Sequence, residues 1–264
     1  MVESNDDYQP GFLLKFIDKQ FVDAFVNKGQ LHFSQLGYFI DLEKETGDGA
    51  IGDKFEGSRL INPDPDSTTI ILSMDNKEFK FHGKKDGVLG ISSSHIDDDV
   101  RKWGIISFCN INLMKDGEMV FYDEENSTGK IKLKQSVVND LYKLSDEGRR
   151  VPVLIDARGL LNVMKTAFNK KRRAQISNVN YYSETSYENI SLKAYNADPR
   201  KVAFLKREKY RYQRETRIAL FEPVSYENGS NIKIGSLRNV AMQLTSFDEL
   251  ADQVFTAKGL KKLK

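Results

Sequence analysis

Residues 203–221 read AFLKREKYRYQRETRIALF, a basic, tyrosine-bearing run that passes directly into the apolar segment Thr216–Phe221. The β-branched and aromatic content of TRIALF predicts a core strand. Ile105–Cys109 (IISFC) and Val151–Ile155 (VPVLI) carry the same signature, with Pro152 near a strand start. Alternation at Thr69–Ser73 and Glu78–His82 around Asp75-Asn76 predicts a hairpin. Leu31–Phe33, Lys130–Lys134 and Val179–Tyr182 read as further strands. Helical spacing runs over residues 12–28, firmest from Asp18 onward, with Gly29 placed to end it. Other expected helices cover residues 35–45, Ser136–Leu144, Asp198–Tyr210 (with Pro199 in its first turn) and a short amphipathic piece after Ser246. Leu160–Val163 reads as a short helix or a turn. Strands outnumber helices and do not alternate with them in a βαβ rhythm. The fold class is therefore α+β with antiparallel sheets.

The chain has 264 residues, 39% apolar and 30% charged, with six prolines. This composition describes a globular chain with a hydrated surface, and 16 Phe with 11 Tyr supply the mass of a core. No linker or repeat divides it, so a single domain over 1–264 is expected, ending in a frayed basic tail at 256–264. No apolar run approaches the roughly 18 residues that cross a bilayer. The opening MVESNDDYQP has the character of neither a signal nor a transit peptide. A single cysteine, Cys109, rules out an intramolecular disulfide and a Cys-rich zinc site; its setting in IISFC reads as a buried small hydrophobe. A cytoplasmic location and no membrane partner are the expectations.

Charge is unevenly placed. Residues 1–60 carry 6 Lys/Arg against 11 Asp/Glu, whereas residues 151–220 carry 15 against 6. A basic segment within a chain of net charge +2 suggests a local anionic partner, or else a lysine-rich hydrated surface. No GxGxxG follows a strand, and Walker A, HExxH and GxSxG patterns are absent. His32, His82 and His95 are too scattered for a histidine metal site, and no metal is expected. Ser93-Ser94-His95 before Asp97-Asp98-Asp99 reads as a helix cap with an acidic first turn.

Chemistry gathers at Gln213-Arg214-Glu215. In a strand, residues two apart share a face, so Gln213, Glu215 and Arg217 would project together. A carboxylate and an amide beside Tyr210 and Tyr212 would suit a cleft holding a sugar and a flat base. There Glu215 would stabilise an oxocarbenium-like state. The alternative is an edge strand on which Glu215 pairs with a neighbouring arginine. Asp53 and Glu56 similarly read as fixing the Gly-rich loop of residues 46–67 through side-chain to backbone bonds.

Three blocks resemble a bacterial and phage domain family, long described as of unknown function, that is related to the ADP-ribosyltransferase fold. Gly29–Ser34 with Gly52–Gly57 (GDKFEG) is similar to its "G-x-L-y-F-s … N-D-P-F-E" opening. Trp103–Asn110 (WGIISFCN) is similar to its "v-x-C-F-S" strand, and Lys206–Leu220 to its "K-x-x-x-W-x-x-E-x-E-x-R" segment. Gly52 and Lys54 stand where the family has Asn and Pro, and Tyr210 or Tyr212 where it has Trp. The resemblance implies split antiparallel sheets with flanking helices around an NAD cleft. Glu215 would be the catalytic glutamate and Gln213 the residue orienting the acceptor. His32 and Ser34 would hold a ribose, Ser107 would be the strand serine of the Arg-Ser-Glu type, Tyr210 or Tyr212 would line the pocket, and Lys15 and Arg59 would meet the pyrophosphate. NAD would be the substrate, consumed by ADP-ribose transfer to a protein or nucleic acid or by hydrolysis, and a toxin or anti-phage defence effector with an inhibitory partner protein the setting.

A rival reading rests on Lys170-Lys171-Arg172-Arg173, followed by Tyr181 and Tyr182. Cations that neutralise phosphates beside rings that stack bases would make the basic 165–217 face a nucleic-acid-binding or partner-binding surface without catalysis.

Overall fold

The computed structural model describes residues 2–4, 11–46, 52–61, 69–74, 77–82, 93–168, 171–183 and 189–258. The fold is α+β, with most of its strand pairs antiparallel; the Val2–Ser4 and Asn180–Tyr182 strands pair in parallel. The chain divides into two compact units. One comprises residues 1–34, 104–179 and 211–264, and the other residues 35–103 and 180–210.

The first unit is built on a nine-stranded sheet among the described residues. Its main path runs Val2–Ser4, Ala174–Asn178, Glu215–Pro223, Trp103–Ile111, Phe12–Ile17, Val151–Asp156 and Ala241–Gln243. Gln30–Gln35 branches from Trp103–Ile111 and pairs in turn with Ser230–Lys233. Residues 12–17, expected to be helical, form a central strand paired to Ile111–Cys109 on one side and Asp156–Val151 on the other. The reason is burial on both sheet faces. Leu13 and Ile17 enter one core cluster and Leu14 the other, which produces a continuous apolar run without alternation. The helix that follows is only Val22–Val26, and Gly29, at φ +59°, turns the chain into Gln30–Gln35. A Cβ there would lie 1.7 Å from the Gly235 carbonyl oxygen, so no larger residue fits.

Each sheet face has its own helices. Ala157–Phe168, longer than the Leu160–Val163 stretch expected, places Leu160, Met164 and Phe168 on one stripe against Ile106, Ile176, Ile218 and Leu220. Gln135–Leu144 and Phe247–Asp252 bury Val137, Leu141, Phe247 and Leu250 with Leu14, Cys109 and Ile111. Burying each such side chain contributes about 1.5–3 kcal/mol. Phe255–Lys258 adds to a three-stranded sheet beside Thr128–Leu133, so residues 256–258 are paired strand rather than loose tail. Residues 259–264 lie outside the described residues.

The second unit carries the expected hairpin, Thr69–Met74 with Lys77–His82. It also pairs Arg59–Ile61 with Ser93–His95 around a small core of Leu60, Val100, Tyr182, Val202 and Leu205. The Asp98–Arg101 helix is preceded by Asp97 at its cap position rather than by a serine. Asp198–Tyr210 is not one helix. It forms a 3-10 turn at Pro199–Phe204, a strand at Leu205–Arg207 and a second 3-10 segment at Glu208–Gln213. Lys206 and Arg207 are drawn into the interior by acidic partners far away in sequence, and that contact overrides helical spacing.

Candidate functional site

Along Glu215–Pro223, Thr216, Ile218 and Leu220 are buried, the last two within the core cluster that holds Ile106 and Ile176. Glu215 and Arg217 take the opposite face. There they form a two-pronged ion pair: Arg217 Nε donates to Glu215 Oε1 at 2.5 Å and Nη2 to Oε2 at 3.1 Å. Ser107 Oγ, from the adjacent Trp103–Ile111 strand, donates to the same Oε1 at 2.5 Å. Arg217 is 1% exposed and Glu215 6%, so this is a buried charged cluster and not a surface pair. Its guanidinium is matched to both carboxylate oxygens. Ser177, buried, sits opposite Arg217 in the neighbouring strand. The arginine pairing that the sequence left open for Glu215 is thus realised, with its partner two residues away.

The expectation that Gln213 shares the face of Glu215 does not survive at the backbone level. Arg214 lies between them at φ +46°, and Gln213 ends a 3-10 segment, so strand alternation starts only at Glu215. This left-handed residue is clamped. Arg214 donates to Asp116 Oδ1 at 3.2 Å and Asp140 Oδ2 at 2.8 Å, while its carbonyl accepts from the Asn110 amide at 2.8 Å. A non-glycine residue in that region stores strain of order 1–3 kcal/mol, tolerated only where its surroundings fix it.

Lys15 donates to the Ser107 carbonyl at 2.9 Å, with its ammonium 5.1 Å from the Phe108 ring centre. Burial pushes its pKa down to about 8, a shift opposed by Cys109 and Glu215 and assisted by Arg150. The Cys109 thiol is pushed up to about 12, first by burial and then by Glu215. These shifts predict a stability profile. Lys15 binds fewer protons in the folded than in the unfolded state between about 8 and its ordinary 10.5, so stability rises with pH there. Cys109 holds its proton in the folded state above its ordinary 9.0, which cancels the Lys15 contribution from there to about 10.5. Denaturant titrations should show a shallow rise from pH 8 to 9 that Lys15→Met removes. A wild-type profile flat or falling from pH 8 would contradict the buried lysine.

The remaining expected residues are dispersed. In the first unit, His32 is exposed on Gln30–Gln35, its Nδ1 3.0 Å from Asn231 Oδ1, and Ser34 follows two residues later on the same strand. Tyr212 is half-buried with the Lys143 ammonium over its ring. Lys171 and Arg173 are exposed, Arg172 pairs with Glu222, and Lys170 lies outside the described residues. In the second unit, Arg59 opens a strand and Tyr210 is interior rather than pocket-lining. Tyr210 is 1% exposed and donates its hydroxyl to the Gly52 carbonyl at 2.7 Å.

Tyr210 belongs to a second buried cluster that the sequence showed only in its loop half. Arg207 Nε donates to Asp53 Oδ1 at 2.8 Å and Nη2 to Glu43 Oε2 at 2.5 Å, while the rings of Phe55 and Tyr210 lie 5.1 and 5.5 Å from the guanidinium. Asp53 also accepts from the Phe55 amide at 3.0 Å, which fixes the loop as expected. Lys206 stands 3.9 Å from Glu56.

No family model, curated protein or solved structure matches this chain.

The hollows on the first unit include two that Glu215 does not line. One, of about 500 Å³, is bordered by Phe12, Asp156, Arg238 and Met242; the other, of about 570 Å³, by Val138, Tyr142, Phe247 and Ala251. Among the described residues no group of three or more His, Cys, Asp or Glu is arranged to hold a metal ion, and no helix is long and apolar enough to cross a membrane.

Proposed function

We propose that the chain is an NAD-using enzyme of the ADP-ribosyltransferase type, with Glu215 as its reacting carboxylate. The observation that carries this reading is the Ser107–Glu215 hydrogen bond. Two residues 108 positions apart, on adjacent strands, meet as a hydroxyl oriented on a carboxylate. As the nicotinamide–ribose bond breaks, its electron pair leaves with nicotinamide and the ribose carbon becomes cationic. A fixed carboxylate lowers the energy of that charge, and an acceptor or water then adds and loses a proton. Gln213, His32, Ser34, Tyr212 and Lys15 keep the supporting roles that the resemblance implies. An ADP-ribosyltransferase fold, a toxin or anti-phage setting and an inhibitory partner belong to the same proposal.

The reading makes a structural demand. Arg217 already grips both oxygens of Glu215, so a ribose hydroxyl reaches the carboxylate only when that grip loosens.

Non-catalytic nucleic-acid binding by the 165–217 face draws less support. Lys206, Arg207, Arg214 and Arg217 lie against acidic groups within their own units, which removes them from an outward basic surface.

The test is release of nicotinamide from NAD, followed by chromatography with protein and nucleic-acid acceptors present. Wild type should release it, and Glu215→Gln, verified as folded, should be at least about a hundredfold slower. Silence of the wild type across acceptors, or equal rates, would overturn the proposal.

A further inference from the structure

The Lys77–His82 strand is exposed at every position, which is unusual for a segment carrying two phenylalanines. Phe79 is 48% exposed and Phe81 39%, and the two lie on one face because they are two residues apart. Met74, 57% exposed, is paired with Lys77, which places both on that same face. A two-stranded hairpin normally needs its apolar face covered to be stable, and here both rings are exposed. Lys77 lies on the face of the rings, whereas Glu78 and Lys80, 3.8 Å apart, alternate to the other face.

We propose that the Thr69–His82 hairpin is a binding site for single-stranded nucleic acid, whose bases stack on Phe79 and Phe81. Aromatic rings two apart on an open strand present successive flat faces about 7 Å apart, the means by which sheet surfaces hold unpaired bases. Lys77, on the same face, meets the phosphate that joins those bases. Aliphatic side chains would serve a lipid or protein contact equally well, whereas paired rings beside an ammonium group match the chemistry of a base and its phosphate. The site is independent of the Glu215 chemistry. It also differs from the Lys170–Arg173 run, since stacking and not charge supplies its affinity. With one cation engaged, affinity should fall with salt at a log–log slope of only about −0.7.

The experiment is fluorescence anisotropy of the full chain with labelled 15-nucleotide oligo-dT and oligo-rU. Wild type should bind, with the shallow salt slope. The paired change Phe79→Ala and Phe81→Ala should weaken binding at least about tenfold without altering the melting temperature. The pair Phe79→Tyr and Phe81→Tyr should restore it, and a duplex of equal length should bind less. The proposal is overturned by absent wild-type binding or by an alanine pair that binds like wild type. Leucines substituting equally well for the rings would overturn it too. So would loss confined to Lys171→Ala with Arg173→Ala, or binding only to anionic phospholipid vesicles.

Discussion

Replacing Arg217 with methionine is expected to lower the melting temperature by about 6–20 °C. The change leaves Glu215, 6% exposed, as a charge without its guanidinium in the interior. Breaking a buried pair in this way costs about 3–5 kcal/mol, and in a chain of this size each kilocalorie moves the transition by roughly 2–4 °C. Ser107 alone cannot compensate, since one neutral donor to Oε1 replaces a charged fork on both oxygens. The double change Arg217→Met with Glu215→Met should recover most of the loss, because two apolar side chains of similar volume remove the desolvation problem altogether. Differential scanning calorimetry of the three variants decides it. A single variant that melts with wild type would mean that the pair is solvent-screened and does not clamp Glu215.

The second large effect belongs to the other unit. Arg207→Met should cost about 3–5 kcal/mol, since it strands Asp53, 0% exposed, and Glu43 together. Arg207→Lys should recover little, because an ammonium cannot serve both carboxylates while lying between Phe55 and Tyr210. The same cluster predicts acid sensitivity. Burial raises the Glu43 pKa, but the Lys54 amide and the Arg207 guanidinium outweigh it, so the net shift is downward. A depressed carboxylate contributes stability that is present above its ordinary value of 4.5 and is lost as pH falls through the folded one. Amide hydrogen exchange of residues 52–58 and 205–210, taken relative to the intrinsic rate at each pH, should therefore accelerate below that value in wild type. In Arg207→Met it should already be fast at neutral pH. Protection unchanged by the substitution would contradict the assignment of Arg207 as the organiser of that loop.

Much of the sheet was legible. Ile105–Cys109, Val151–Ile155 and Thr216–Phe221 lie within observed strands because each is an apolar, β-branched run too short for a helix. Phe12–Ile17 was misread because a strand buried on both faces loses its alternation, and because a genuine helical turn follows at Val22–Val26. Ala157–Phe168 was under-read, with Arg158 and Gly159 interrupting the apolar pattern although they sit on its outer face or against Val240. The basic stretch was misleading for a different reason. Charge counted along the chain says nothing of pairing across it, and the partners of Arg207 lie 154 and 164 positions away. Glu215 and Arg217, two apart on one strand, needed no such distance, and their pairing was foreseeable from spacing. Ser107 entered only through family resemblance, because a serine in an apolar strand carries no signal of what it faces.

The most direct test of the central claim is a crystal structure with a non-hydrolysable NAD analogue. The account predicts the nicotinamide ribose beside Glu215, a ribose hydroxyl within hydrogen-bond distance of its carboxylate, and the Arg217 guanidinium displaced from at least one oxygen. An analogue bound elsewhere, or excluded while both arginine contacts stay closed, would reduce Glu215 to a structural ion-pair partner.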